Sequence, residues 1–224
     1  MYHFLQSGFQ RILPKRCPTC TDGIVAEPHP VCSTCWAQLW TSVSPRPLNL
    51  SFAWGGTSLL PYHLPHVTHT MRSIKFGNRP DLAIALGRLM AKAIPAPEVD
   101  VLVPLPLRAD RYYARGYNQA ERIAQGLHAV WGLPVATRLI QRPLTVHNFG
   151  TKSQASRSES DRFGIYGAYA IREPERLNGL RIALVDDTLT TGSTLNAAAE
   201  ALQKKTRVAD MIPLTLAYAV RRRS

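Results

Sequence analysis

Apolar residues fall into two kinds of pattern along this chain, short unbroken runs and helix-spaced stripes. Ile182-Ala-Leu-Val185 is an unbroken run that ends abruptly in two carboxylates, Asp186 and Asp187. A loop of hydroxyls with one glycine follows, and then the helix-forming segment Leu195-Asn-Ala-Ala-Ala-Glu-Ala-Leu202. A short apolar run bounded by polar turn signals predicts a buried strand of a parallel sheet. Strand, polar loop and helix in succession place ligands at the carboxyl end of such a sheet. Val99 to Leu107 predicts a second buried strand, ending near Val103 because Pro104 and Pro106 cannot donate to a ladder. Val208 to Val220 is a further strand-like run. The stripes predict helices. Leu82, Ile84, Ala85, Leu86, Leu89 and Met90 share a face, with Asp81 at the start and Pro95-Ala-Pro97 as the stop. Ile123, Leu127 and Val130 form another stripe on a helix starting at Asn118, where Glu121 can complete a capping box. Between Tyr62 and the first of these helices only a short basic segment, Met71 to Gly77, stands out.

Composition adds limits. A chain of 224 residues with 45% hydrophobic content supports one sizeable core and a small appendage. No apolar run is long enough to span a bilayer, and the first residues lack the h-region of a signal peptide, so a cytoplasmic location is expected. The formal charge is +12, and 21 of the 27 basic residues are arginine. Arginine's planar fork suits phosphates and stacks on bases, which favours nucleic acid or phosphorylated ligands. The alternative is a generally basic, solvated surface.

All four cysteines fall within 19 residues, as Cys17-Pro-Thr-Cys20 and Cys32-Ser-Thr-Cys35. Two Cys-x-x-Cys knuckles at this separation suit a four-thiolate zinc site better than disulfides or a duplicated redox pair. Four protein ligands leave no open position for water, so the zinc is expected to be structural. His29 lies between the knuckles as a candidate substitute ligand, with a surface role as the alternative. Trp36 and Trp40 follow at helical spacing as a small apolar face or a base-stacking platform, and Thr41 to Pro47 is a linker.

The loop after Asp187 has its own chemistry. Gly192 lets backbone approach an anion, and Thr190, Thr191, Ser193 and Thr194 offer hydroxyls to phosphate oxygens. Asp186 and Asp187 repel phosphate and suit sugar hydroxyls or a hydrated Mg²⁺. A ligand with a 5′-phosphate at one end and a ribose diol at the other satisfies the whole loop; the bland alternative is an ordinary strand–turn–helix capped by Thr191 or Ser193. A second basic loop runs from Arg108 to Ala120. Its Arg108, Arg111 and Arg115 can clamp a diphosphate, while its tyrosines also fit single-stranded nucleic acid, or the loop is merely solvated. Ser153 to Arg162 is polar and expected to be a mobile loop, and Arg221 to Arg223 a solvated tail.

The run from Ile182 to Thr194 resembles the signature of type I phosphoribosyltransferases, which bind 5-phosphoribosyl-1-diphosphate (PRPP) there. Four landmarks in order make the resemblance more specific: Leu13-Pro-Lys-Arg-Cys17 with the knuckles, Ile74-Lys-Phe-Gly77, Pro104-Leu-Pro-Leu107 with Arg115-Gly-Tyr-Asn-Gln-Ala120, and Val185-Asp-Asp to Gly192-Ser-Thr194. Over nearly the whole chain they resemble the ComF family (ComFC, also called GntX). That resemblance implies an α/β fold, a type I phosphoribosyltransferase-like parallel sheet flanked by helices over residues 48–224, behind a zinc-ribbon module and linker over 1–47. It implies zinc on Cys17, Cys20, Cys32 and Cys35, ribose contacts on Asp186 and Asp187, and 5′-phosphate contacts on Thr190, Thr191, Gly192, Ser193 and Thr194. It also implies a part in natural transformation, with incoming single-stranded DNA and uptake helicase and channel proteins as partners. Phosphoribosyl transfer from PRPP with Mg²⁺ to a nucleobase-like acceptor is the enzymatic alternative, with Asp186, Asp187 and Arg115 as its catalytic residues and Arg108 and Arg111 on the diphosphate. The family's Thr-x-x-Gln-x-x-Leu segment is only partly matched, since Thr151 and Gln154 fit but Arg157 stands at the leucine position.

Overall fold

Parallel pairing of the apolar runs builds the centre of the molecule. The computed structural model describes residues 15–25, 29–142 and 169–219. In chain order its elements are helix α1 (Ser33–Thr41), strands β1 (Arg46–Leu50) and β2 (Ala53–Pro61), helices α2 (Pro65–Phe76) and α3 (Pro80–Ala93), and strand β3 (Val101–Pro104). Helices α4 (Ala109–Arg115) and α5 (Gln119–Trp131), short strands β4 (Ile140–Gln141) and β5 (Ala170–Ile171), strand β6 (Arg181–Leu189), helix α6 (Ser193–Lys205) and strand β7 (Asp210–Tyr218) follow. The main sheet has the order β1-β2-β7-β6-β3; β2, β7, β6 and β3 run parallel, and β1 adds an antiparallel edge. Successive side chains of a strand point to opposite faces. Accordingly Ala183 and Val185 of β6 pack with α2, α3 and α5, whereas Ile182 and Leu184 pack with Leu195, Ala198 and Leu202 of α6. The fold is mixed α/β, a parallel sheet flanked by helices. Among the described residues no helix is long and apolar enough to cross a membrane.

Helices α3 and α5 cross at backbone distance. A Cβ added to Gly126 would lie 2.1 Å from the Ile84 carbonyl oxygen, and one added to Gly87 would lie 2.2 Å from that of Ile123. Trp131 Nε1 donates to the Ala91 carbonyl at 3.0 Å and closes the far end of the crossing. This packing fixes the start of α5, where Asn118 both caps the helix, accepting from Ala120 N at 3.1 Å, and donates to the Leu105 carbonyl at 2.9 Å. The capping-box partner expected of Glu121 has no counterpart among the described hydrogen bonds; Asn118 does the capping.

Several expectations give way to tertiary context. The basic segment before Gly77 is the last turn of α2, a helix held by its buried face of Val67, Thr70, Met71 and Ile74. Strand β6 does not stop at Val185: Asp186, Thr188 and Leu189 continue the ladder against Thr215, Ala217 and Tyr218 of β7. The Arg108–Ala120 loop contains α4, and β1 begins at Arg46 inside the segment expected to be linker. Pro104 is the last residue of β3, tolerated because β3 is the sheet's edge strand. Val130 is 41% exposed and Trp40 37%, so the apolar stripes on α5 and α1 are narrower than their spacing suggests. The expected polar loop, the Thr151–Gln154 segment with Arg157, and the terminal arginines lie outside the described residues.

Candidate functional site

The carboxyl ends of β3 and β6 open onto one cavity of about 450 Å³. Its lining includes Asp186, Asp187, Thr188, Thr190 and Thr194 from the β6–α6 segment, and Arg111, Arg115, Asn118 and Gln119 from the α4–α5 segment. Of the residues expected in the site, Asp186, Asp187, Thr190, Thr194, Arg111 and Arg115 therefore converge. Thr191, Gly192 and Ser193 form the adjoining turn without lining the cavity. Gly192 is the N-cap of α6 at φ +78°, a left-handed conformation natural to glycine. Thr191 Oγ1 donates to Ser193 Oγ at 3.0 Å. Arg108 does not line the cavity; its guanidinium is paired at 3.0 Å with Asp110 of its own helix. Tyr112 and Tyr113 are exposed and also stand off the cavity.

The carboxylates divide into two environments. Asp187 lies 3.4 Å from Lys75 Nζ, which also donates to Thr188 Oγ1 at 3.1 Å. Asp186 accepts the Asp187 backbone N–H at 2.8 Å. Burial, reinforced by the Asp187 charge, pushes the Asp186 carboxyl up to about 7. Burial also lowers the Arg115 guanidinium, against the attraction of Asp187. Two buried polar atoms have no partner among the described residues: Gln119 Nε2, on the cavity wall, and the Tyr169 hydroxyl. Burial lifts that phenol to about 12, so it keeps its proton. Arg142, which lines the cavity, lies over the Tyr169 ring at 5.6 Å.

Lys75, Tyr62 and Arg142 are cavity residues that sequence reasoning did not place. Lys75 was visible only as part of Ile74-Lys-Phe-Gly77, and Arg142 carries no local signal at all. Tyr62 joins through the Lys75 ammonium, 5.9 Å from its ring centroid.

The four cysteine sulfurs form a second centre, all within 4.8 Å of one another. Bonds of about 2.3 Å to a tetrahedral zinc imply a sulfur–sulfur edge of about 3.8 Å. The Cys20 and Cys32 sulfurs are 3.8 Å apart, too far for a disulfide and suited to a shared ion. Backbone N–H groups of Gly23 and Cys32 donate to the Cys20 and Cys17 sulfurs at 3.3 and 3.4 Å. Burial raises the Cys17 thiol, yet the backbone amides of Cys32, Cys20 and Thr19 prevail and bring it down to about 6. The cluster can bind a metal such as zinc. His29 is not among the grouped ligands; it stacks on Trp36 with ring centroids 4.9 Å apart.

No protein-family model matches the chain. Competence protein F of Haemophilus influenzae is 24% identical over 197 residues, covering 84% of each chain. ComFC of Bacillus subtilis is 32% identical over 116 residues, 52% of this chain and 43% of that one. The DNA utilization protein YhgH of Salmonella typhi is 26% identical over 151 residues, 62% of each. The chain is similar in sequence to these competence and DNA utilization proteins. It spans most of competence protein F but under two thirds of YhgH and ComFC. Among solved structures, the glutamine PRPP amidotransferase of B. subtilis aligns with 65% of this chain and 30% of that one at 17% identity and a TM-score of 0.45. The adenine phosphoribosyltransferase of Thermoanaerobacter pseudethanolicus aligns with 82% and 99% at 13% identity and a TM-score of 0.41.

Proposed function

We propose that this chain is a ComF-type competence protein that handles incoming single-stranded DNA in the cytoplasm and binds PRPP with Mg²⁺ at the β3–β6 cavity. Residues 48–224 form the phosphoribosyl domain, and residues 1–47 a module built on a structural zinc held by Cys17, Cys20, Cys32 and Cys35. The observation that carries the ligand is the division of the cavity into an acidic, hydroxyl-rich side and a guanidinium side. Asp186 and Asp187 accept from the ribose hydroxyls. Thr190 and Thr194, with the turn amides at Gly192 and the N-terminus of α6, take the 5′-phosphate. Arg111 and Arg115 face the diphosphate, whose remaining charge Mg²⁺ neutralises. The DNA role is supported by the names of the homologues and the +12 charge.

Phosphoribosyl transfer is the second reading, and Gln119 favours it. A buried amide nitrogen with no partner among the described residues is costly unless a ligand satisfies it. In that reaction an acceptor nitrogen attacks the anomeric carbon, the bond to the diphosphate oxygen breaks, and the acceptor's proton leaves to solvent. Arg115 stabilises the departing diphosphate, and the cavity holds the ribose in line.

Calorimetric titration of the zinc-loaded protein with PRPP–Mg²⁺ tests the site. Asp186→Asn with Asp187→Asn removes negative charge, which on Coulomb grounds alone would tighten anion binding. A loss of more than about 100-fold, or roughly 2.7 kcal/mol, is expected because two ribose acceptors are lost. Unchanged affinity in the folded double variant would refute the assignment.

A further inference from the structure

Beside the phosphoribosyl cavity lies a second one of about 410 Å³, lined by Lys75, Phe76, Asn78, Arg111, Ala114 and Arg115. Lys75, Arg111 and Arg115 line both cavities, so the two share a cationic wall. Among the described residues no carboxylate lines the second cavity. Its aromatic member is unusual. Phe76 is 78% exposed, while Met71 and Ile74 of the same helix are fully buried. Leaving a phenylalanine in water forgoes the gain of burying its ring. The ring is held at the end of α2 by the turn through Gly77 and Asn78, the latter at φ +48°. The Arg115 guanidinium lies 5.9 Å from its centroid.

An exposed ring beside the forked cations Arg111 and Arg115 matches the chemistry of single-stranded nucleic acid: bases stack on aromatics and phosphates pair with arginine. The Arg115 guanidinium, 5.9 Å from the Phe76 centroid, places a phosphate-binding group beside the stacking surface. A plain anion site would have no use for the ring, and an apolar partner would not seat against three cations. We propose that the second cavity is a nucleotide subsite for single-stranded DNA. One base stacks on Phe76, and the flanking phosphates rest on Arg111 and Arg115. This deepens the DNA-handling role proposed above and rests on it. The strand would then lie against the same guanidinium wall that faces the phosphoribosyl ligand.

The test uses the full-length, zinc-loaded chain and two fluorescein-labelled probes of about 15 nucleotides, an oligothymidylate and an abasic strand of equal length. Anisotropy titrations are run at about 50 and 200 mM NaCl. Phe76→Ala should weaken oligothymidylate binding about 5- to 50-fold, in line with the loss of one stacked base. The same variant should leave abasic-strand affinity, PRPP affinity and the salt slope unchanged, and its melting temperature close to that of the parent, because the ring is exposed. Phe76→Trp should restore or improve oligothymidylate binding. Equal oligothymidylate affinity in Phe76→Ala and parent, or equal losses on both probes, would overturn the subsite while leaving the DNA role standing. Failure of the parent to bind either strand would overturn the DNA role and the subsite together.

Discussion

The thiolate cluster and the anion cavity are assembled by opposite means. The cluster draws its four ligands from residues 17 to 35, and two short turns with their N–H···S bonds set the geometry. The cavity gathers residues from Tyr62 to Ala219, carried by the ends of strands and helices that meet only when the sheet and the α3–α5 crossing are formed. A local centre stands or falls with each ligand. A distributed one depends on packing far from its chemistry, so the sharpest experiments strike one kind of centre and watch the other.

The largest effect should come from Cys17→Ser with Cys20→Ser. Structural zinc is worth about 10–16 kcal/mol in small zinc modules, so half a ligand set should abolish binding. Zinc measured by atomic emission should fall from one per chain to nearly none, and the melting temperature should drop. Stoichiometric zinc in that variant would rule out the four-thiolate site. Next in size is Gly126→Ala. Its methyl would meet the Ile84 carbonyl oxygen at 2.1 Å, and overpacking of that sort costs about 1–3 kcal/mol, or roughly 3–10 °C in melting temperature. PRPP affinity should weaken as the start of α5 shifts, while zinc content stays at one; a variant as stable as the parent would mean the crossing is looser than described.

The smallest effect is a pH dependence. The Asp186 carboxyl is raised in the folded chain to about 7, well above the ordinary carboxylate range. Its contribution to stability is therefore fully present below the unfolded value and lost as pH rises through 7. Asp186→Asn cannot ionise and escapes that loss. Its melting temperature relative to the parent should rise as the pH is raised from about 4 to 8. A difference that stays constant across that range would show that Asp186 titrates normally.

Legibility in the sequence follows the same division. The cysteine pair spacing was enough to expect the cluster, because its geometry is nearly all local. The run Ile182–Val185 was enough for β6, because alternate residues go to two apolar faces. The strand's last residues were not legible: aspartates are poor strand formers, and only pairing with Thr215, Ala217 and Tyr218 keeps them extended. Helix α2 was missed because Thr70 interrupts its stripe with a polar residue. In the structure Thr70 is buried, its hydroxyl donating to the His66 carbonyl at 2.8 Å. Lys75 went with it, since a lone lysine gains meaning only once the sheet brings Asp187 to 3.4 Å. Arg108 erred the other way: sequence position grouped it with Arg111 and Arg115, but Asp110 two residues on claims it.

Helix α2 touches both centres. Ser73 Oγ donates to the Pro18 carbonyl at 2.8 Å, the Thr70 and Thr19 hydroxyls are 3.1 Å apart, and two residues beyond Ser73 the same helix presents Lys75 to Asp187. The helix is thus a strut with the knuckles at its side and the ammonium at its tip. Protein stripped of zinc by a chelating column would keep both aspartates yet lose the support that holds their counter-charge in place. Anion affinities measured on such a preparation would describe a different electrostatic surface from that of the metal-loaded chain, and metal content belongs beside every binding constant obtained for it.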